Sequence, residues 1–90
     1  MANATFTVPC PTGVWTQVAA GEAYASVQLQ KTSVGNVRAA IAAVEPAADL
    51  TEFVLLSEIL ATFPLATGDV LWCMPLGAAD GTVRGIGTGV

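Results

Sequence analysis

Residues 66–77, ATGDVLWCMPLG, place an apolar run between two glycine-containing turns. In a β-strand, successive side chains point to opposite faces, so Leu71 and Cys73 would share one face and Trp72 would lie on the other. Both faces of this run are apolar. The pattern predicts a strand buried on both sides, by the core on one side and by a further covering surface, such as a neighbouring subunit, on the other.

The cysteine within this run has no partner that would make it reactive. A reactive thiol needs a nearby base or a positive field, and the sequence contains no histidine and no lysine near Cys73. The second cysteine, Cys10, stands between two prolines. We therefore predict that both are structural. Whether they pair as a disulfide or stay reduced is open from the sequence.

Outward from this run, turn signals recur at short intervals, a spacing typical of an all-β sandwich or barrel. Residues 24–30 alternate in polarity, with Val27 and Leu29 on the dry face and Tyr24 on the wet face. Residues 14–18 form a second alternating run, which places Trp15 on its polar side. Asp80-Gly81 predicts a hairpin that joins residues 70–75 to residues 82–86.

Two segments are compatible with either strand or helix. Asn36 could cap a helix over 36–45, which is rich in alanine. Residues 51–61 could form a helix with one apolar stripe. We predict strand for both on the resemblance described below, and the fold class is a small antiparallel β-sandwich, jelly-roll-like. A short helix in 36–45 or 51–61 remains the alternative.

The composition indicates a surface covered by other protein. Hydrophobic residues make up 53% of the chain and charged residues 11%, where about 25% charged is usual for soluble domains. No apolar stretch reaches the ~20 residues of a spanning helix, so a membrane partner is not predicted. The net charge is −4 with three cations, which excludes the basic patch that nucleic-acid binding needs.

Aromatic residues on the polar faces of strands are candidates for a protein interface. We predict Trp15 and Tyr24 as such anchors, together with Val44 and with Phe6 and Val8 near the N-terminus. No catalytic residue, metal ligand or cofactor site is predicted, because most of the carboxylates fall in turns and no nucleophile–base pair exists. The residues expected in the core are Val27, Leu29, Ile41, Val70 and Trp72.

Four motifs follow one another along the chain: VWTQV at 14–18, ASVQLQ at 25–30, GNVRAAI at 35–41 and LATGDVLW at 65–72. Their order resembles small virion structural proteins of tailed bacteriophages. Those proteins typically run W-T-x-V, an alternating strand, G-x-V-x-V-x-I and a late G-D-x-L-W. The similarity spans roughly residues 13–86. The segment at residues 50–63, between the proline turn and the G-D-x-L-W strand, is longer and more apolar than the corresponding part of that pattern.

The resemblance implies a non-enzymatic capsid decoration protein, made in the host cytoplasm and placed on the capsid exterior. Its partners would be the major capsid protein and copies of itself, in a homo-oligomer such as a trimer. Residues 1–12 would form an N-terminal arm and residues 13–90 the single β-sandwich domain. A head-tail connector, tail or fibre-base component is the first alternative, and a small carbohydrate-binding module for host attachment is the second.

Overall fold

The computed structural model describes residues 3–33, 35–47 and 49–90, which form two four-stranded antiparallel sheets. The strands are β1 (Ala4–Cys10), β2 (Thr16–Ala20), β3 (Tyr24–Lys31), β4 (Val37–Ala42), β5 (Val54–Leu55), β6 (Ala61–Pro64), β7 (Val70–Pro75) and β8 (Gly81–Gly89). The first sheet has the order β1-β8-β3-β6 and the second β2-β7-β4-β5. The all-β prediction is confirmed, and the described ranges contain no helix.

The strand pairing is nested. β1 pairs with β8, β2 with β7, β3 with β6 and β4 with β5, and the β3–β8 and β4–β7 pairs complete the two sheets. The predicted hairpin at Asp80-Gly81 is therefore wrong. β7 already has a neighbour on each side, so the chain has no free edge to fold back on and crosses to the other sheet. Thr12 N–H donates to Asp80 Oδ1 at 2.9 Å and fixes this crossing.

The core between the sheets is built by strand alternation, as predicted. Val27 and Leu29 from β3 are fully buried, and so are Leu71 and Cys73 from β7. Valine and leucine at every second position supply this dry face, and burial of such a side chain contributes roughly 1.5–3 kcal/mol. The alternation within each strand thus predicts which side chains face the core, even where the pairing of the strands was not predicted.

The strand prediction for residues 36–45 is confirmed, since β4 occupies most of that segment. Within residues 51–61 only β5 and the first residue of β6 are strand, so the prediction there holds in part. The prediction that Ile41 lies in the core is wrong. It lies opposite fully buried Leu71 and so faces the core side, yet it remains 40% exposed. The reason is that β5 pairs with β4 only at Arg38 and Ala39 and leaves Ile41 uncovered.

A register shift in β3 reverses the predicted direction of Tyr24. Tyr24 lies opposite Gly89 and Ser26 opposite Thr88, so one extra residue enters β3 between them and turns the tyrosine towards the core. Its ring lies against the position that a Cβ on Gly87 would occupy. The ring centroid of Phe6 is 6.1 Å from that of Tyr24. The glycines near the C-terminus therefore make room for aromatic rings.

The segment predicted as an N-terminal arm forms the edge strand of the first sheet. β1 pairs with β8 along its whole length, and Phe6 and Val8 pack half-buried against the core. Residues 4–10 thus belong to the sandwich rather than to a separate arm. Met1 and Ala2 of the predicted arm lie outside the described residues.

A second apolar cluster covers the outer surface of the second sheet. Buried Trp15, Ala40 and Met74 form its centre, and Leu50, Phe53 and Trp72 pack against it. We call these six residues the outer cluster. One indole hydrogen bond attaches the loop between β4 and β5, and a second reaches the last residue of β4. Trp15 Nε1–H donates to the carbonyl of Ala47 at 2.9 Å, and Trp72 Nε1–H donates to that of Ala42 at 3.0 Å.

The outer cluster identifies what covers β7. The strand is enclosed on both faces, as the sequence predicts, and the chain's own loop packs on its second face. Trp72 and Val70, predicted as core, are half-buried, because they lie on this outer side rather than between the sheets.

Candidate interaction surfaces

The two cysteines are free thiols inside the core, which resolves the question that the sequence left open. Burial raises the pKa of the Cys10 thiol to about 11. Burial also raises the pKa of Cys73 strongly, and the nearby Cys10 adds to that shift. Both groups are therefore held as neutral thiols at neutral pH, which is the form that is not nucleophilic.

We expect both thiols to resist a thiol-specific reagent at pH 8 until the protein unfolds. The folded state holds their pKa values above those of the unfolded chain, so the unfolded state loses protons first. The contribution of the buried thiols to stability is fully present below the unfolded thiol pKa of about 8.5. It is lost as the pH rises through the folded pKa of Cys10, which is about 11. Denaturant midpoints at pH 7 and pH 10 measure this loss.

The matched control is the double variant Cys10→Ala and Cys73→Ala, which should lose the thiol-dependent part of that pH profile. Rapid labelling of the native wild type at pH 8, at a rate above its unfolding rate, would contradict the buried placement of the two thiols.

Two of the seven carboxylates accept hydrogen bonds from backbone N–H groups. Asp69 Oδ2 accepts the N–H of Ala66 at 2.9 Å, and Asp80 accepts that of Thr12. Within the three described ranges, no group of three or more carboxylate or thiol side chains is placed to hold a metal ion. In the same residues, no helix is long and apolar enough to cross a membrane.

Trp15 was predicted as an exposed anchor, and that exposure is wrong, since it is only 4% exposed. The guanidinium of Arg38 lies 5.7 Å from the Trp15 ring centroid and 5.3 Å from that of Phe53. Arg38 Nη2 also donates to the carbonyl of Pro75 at 3.2 Å. Its Nε is buried and has no partner within the described residues. The cation thus fastens the β4–β5 loop to the sheet through two aromatic faces.

Of the predicted interface residues, Val44 alone is highly exposed, at 75%. Phe6, Val8 and Tyr24 are half-buried against the core. The structure brings Phe6 and Tyr24 into ring contact, and it places Val44 just beyond the end of β4. An interface role for these residues stays a prediction.

The exposed apolar surface is nevertheless large for so short a chain. Among the described residues, ten large hydrophobic side chains are exposed by 40% or more. They are Val14, Ile41, Val44, Val54, Leu55, Ile59, Leu60, Leu76, Ile86 and Val90. Half of them lie in β4, in β5 or in the segment between β5 and β6. Ile41 and Val54 share one groove, whereas Leu60 lies beside Ile86 of the first sheet.

The groove beside β4 and β5 has a volume of about 390 Å³, and we call it the open-side groove. Its lining residues are Ala39, Ala40, Ile41, Glu52, Phe53, Val54 and Phe63. Phe63 reaches it from β6 at the edge of the first sheet, and Val54 from β5 at the edge of the second. β5 is only two residues long, so most of the outer edge of β4 has no strand beside it. The unusually apolar stretch 50–63 was the one sequence signal for this region.

The outer surface of the first sheet has a different character. Ile86 lies opposite Thr5 on β1 and Gln28 on β3, and Gln28 lies opposite Thr62 on β6. Uncharged side chains, three polar and one apolar, therefore cross the sheet in a row, with Arg84 of β8 the nearby charge. A surface of this composition can be covered by protein at little desolvation cost, because few ions lose their water.

No protein-family model matches the chain, and neither the curated proteins nor the solved structures give a match.

Proposed function

We propose that this chain is a non-enzymatic structural protein of a tailed-bacteriophage virion, and specifically a decoration protein that binds several coat subunits and stabilises the shell. The observation that carries the proposal is the apolar surface that the fold leaves uncovered, with Val44 and Ile59 exposed by 75% and 79%. Contiguous apolar surface on a small soluble domain is typical of a site covered by other protein.

The strand arrangement supports the same proposal. Eight strands in two sheets with nested antiparallel pairing resemble the double-sheet jelly roll, a plan found in viral capsid proteins and lectins. The fold analogy is joined by the motif resemblance at residues 14–18 and 65–72. Repetition of one small subunit over a shell would give each exposed patch many identical contacts and a high local concentration.

The carbohydrate-binding alternative receives less support. Stacking on a sugar needs an exposed aromatic face, and all six aromatic side chains are buried or half-buried. Trp15 donates its indole N–H to the carbonyl of Ala47 in the covering loop, and Trp72 donates its own to that of Ala42 at the end of β4. The aromatic residues therefore build the fold rather than a platform.

The proposal is tested by counting the chain in purified phage particles from the cells that produce it. We expect a copy number comparable to that of the coat protein, and a lower disruption temperature for particles depleted of the chain. A few copies at a single vertex would point to the connector or tail alternative. Absence from the particles would overturn the proposal.

We also expect Val44→Glu to weaken binding to depleted particles by about tenfold, because a charge would then be buried in an apolar contact. The fold should be unaffected, since the side chain is 75% exposed. Light scattering and unfolding midpoints on the same variant separate loss of contact from loss of structure. Unchanged particle binding would remove Val44 from the interface.

A further inference from the structure

The backbone of β4 is unpaired along part of its outer edge. Val37 C=O accepts the N–H of Leu56 at 2.9 Å, so Val37 directs its backbone groups towards β5. Strand alternation gives Ile41 the same direction. Pairing with β5 stops at Ala39, and the described residues supply no further strand on that side. The N–H and C=O of Ile41 therefore face outwards at an open sheet edge.

An apolar groove lies beside that open edge. Ile41 and Val54 are 40% and 52% exposed, and Phe63 closes the far side of the groove. The volume of about 390 Å³ falls within the range of binding sites for compact ligands. Unpaired backbone groups beside apolar pockets are the two elements that strand addition uses, because main-chain bonds give affinity and pockets select alternate side chains.

We propose that the open-side groove accepts an extended segment of another protein, which pairs with β4 at Ile41 and inserts alternate apolar side chains against Val54 and Phe63. The charge of the site specifies the segment further. Glu52 is the one ionisable side chain that lines the groove, and no described cation forms an ion pair with it. The segment therefore carries a lysine or arginine beside its apolar positions.

A second copy of this chain does not match that chemistry. Its three cations are engaged or distant: Lys31 Nζ donates to the carbonyl of Gly35, Arg38 is held by two rings, and Arg84 lies on the first sheet. Two copies would also bring together net charges of −4. The occupant is a different protein. This inference deepens the proposed function, on which it rests for the setting, by naming the segment that a coat partner would supply.

The test uses the full chain and a synthetic peptide of about eight residues, in which valine alternates with threonine and lysine stands at both ends. NMR titration should shift the amide signals of Ile41 and its neighbours, and hydrogen exchange at the Ile41 amide should slow. Ile41→Lys should weaken binding by about tenfold or more. The matched control is Ile86→Lys, because Ile86 has the same 40% exposure but lies on the first sheet.

A second variant tests the role of the Glu52 charge. Glu52→Gln should reduce the preference for the lysine-ended peptide over a glutamate-ended one. Equal peptide binding by the Ile41→Lys and Ile86→Lys variants would overturn the proposal. A wild-type dimer that dissociates on Ile41→Lys would also overturn it, because a second copy of the chain would then be the occupant. Peptide binding to a chain that is absent from phage particles would overturn the virion role alone. Particle binding that is unchanged by Ile41→Lys would overturn the groove alone.

Discussion

Gly21→Ala is expected to destabilise the protein by about 3 kcal/mol, one of the two largest effects of a single substitution that this fold predicts. A Cβ at this position would overlap the backbone carbonyl of Ala66. Neither segment can move away easily. Gly21 N–H donates to the carbonyl of Asp69 at 2.8 Å, and Asp69 is bonded to Ala66 through both its N–H and its side chain.

The clash therefore opposes hydrogen bonds that hold the turn before β7 against the turn after β2. Thermal unfolding should show a fall in Tm of roughly 12–20 °C for a chain of this length. Gly77→Ala is the matched control. A Cβ there meets nothing within 4 Å and the φ is not positive, so stability should change by less than about 0.5 kcal/mol. Equal midpoints for the two variants would contradict the close approach at Gly21.

The local alternation of side chains was predictable from the sequence. Val27, Leu29, Leu71 and Cys73 are buried as the period of two requires, because the pleat of a strand depends on neighbours in sequence. The same reasoning identified the run at 70–75 as enclosed on both faces. What that run could not specify was the identity of its second cover, which comes from a loop about 25 residues earlier in the chain.

Strand neighbours were not predictable from turn chemistry. Asp80-Gly81 is a strong local signal for a hairpin, yet β7 pairs with β2 and β4 and so has no room for β8. The preference of two residues for a tight turn is a local effect, whereas a complete strand ladder pairs many residues along two strands. The ladder partners are chosen by the whole sheet, and the turn adapts to them.

The positions of the aromatic side chains were also not predictable from the sequence. Alternation placed Tyr24 on the wet face, but the extra residue between Tyr24 and Ser26 reverses it. Bulges leave little mark on a sequence, so a face assignment can change sign within one residue. The predicted burial of Ile41 was wrong for another reason. Its direction was right, but its cover depends on the length of β5, which the apolar stretch 50–63 did not reveal.

These corrections reduce, but do not remove, the apolar excess inferred from composition. Part of the excess is internal, because the outer cluster uses Met74, Phe53 and both tryptophans to bury a second sheet surface. The remainder is concentrated near β5, where the sheet edge is short and the side chains stay exposed. Under the proposed function, a partner would cover the region near β5, where the open-side groove also lies.

Trp15→Ala separates the structural role of this residue from the interface role that the sequence suggested. The side chain is 4% exposed, donates to Ala47 and stacks on Arg38, so its removal should cost about 3–5 kcal/mol. Without the indole, the guanidinium loses one of its two aromatic faces and the β4–β5 loop loses an attachment. Urea unfolding followed by the fluorescence of the remaining Trp72 measures the effect.

The control Trp15→Phe keeps a ring over Arg38 but cannot donate to Ala47, so it should cost less, about 1–2 kcal/mol. An interface anchor would behave in the opposite way, because an exposed side chain adds little to the stability of the free subunit and much to its association. If Trp15→Ala leaves the unfolding midpoint unchanged and alters only the mass measured by light scattering, the outer cluster is not what holds the loop. A large loss of stability with unchanged mass instead assigns Trp15 to the fold, and leaves recognition to the exposed residues around β5.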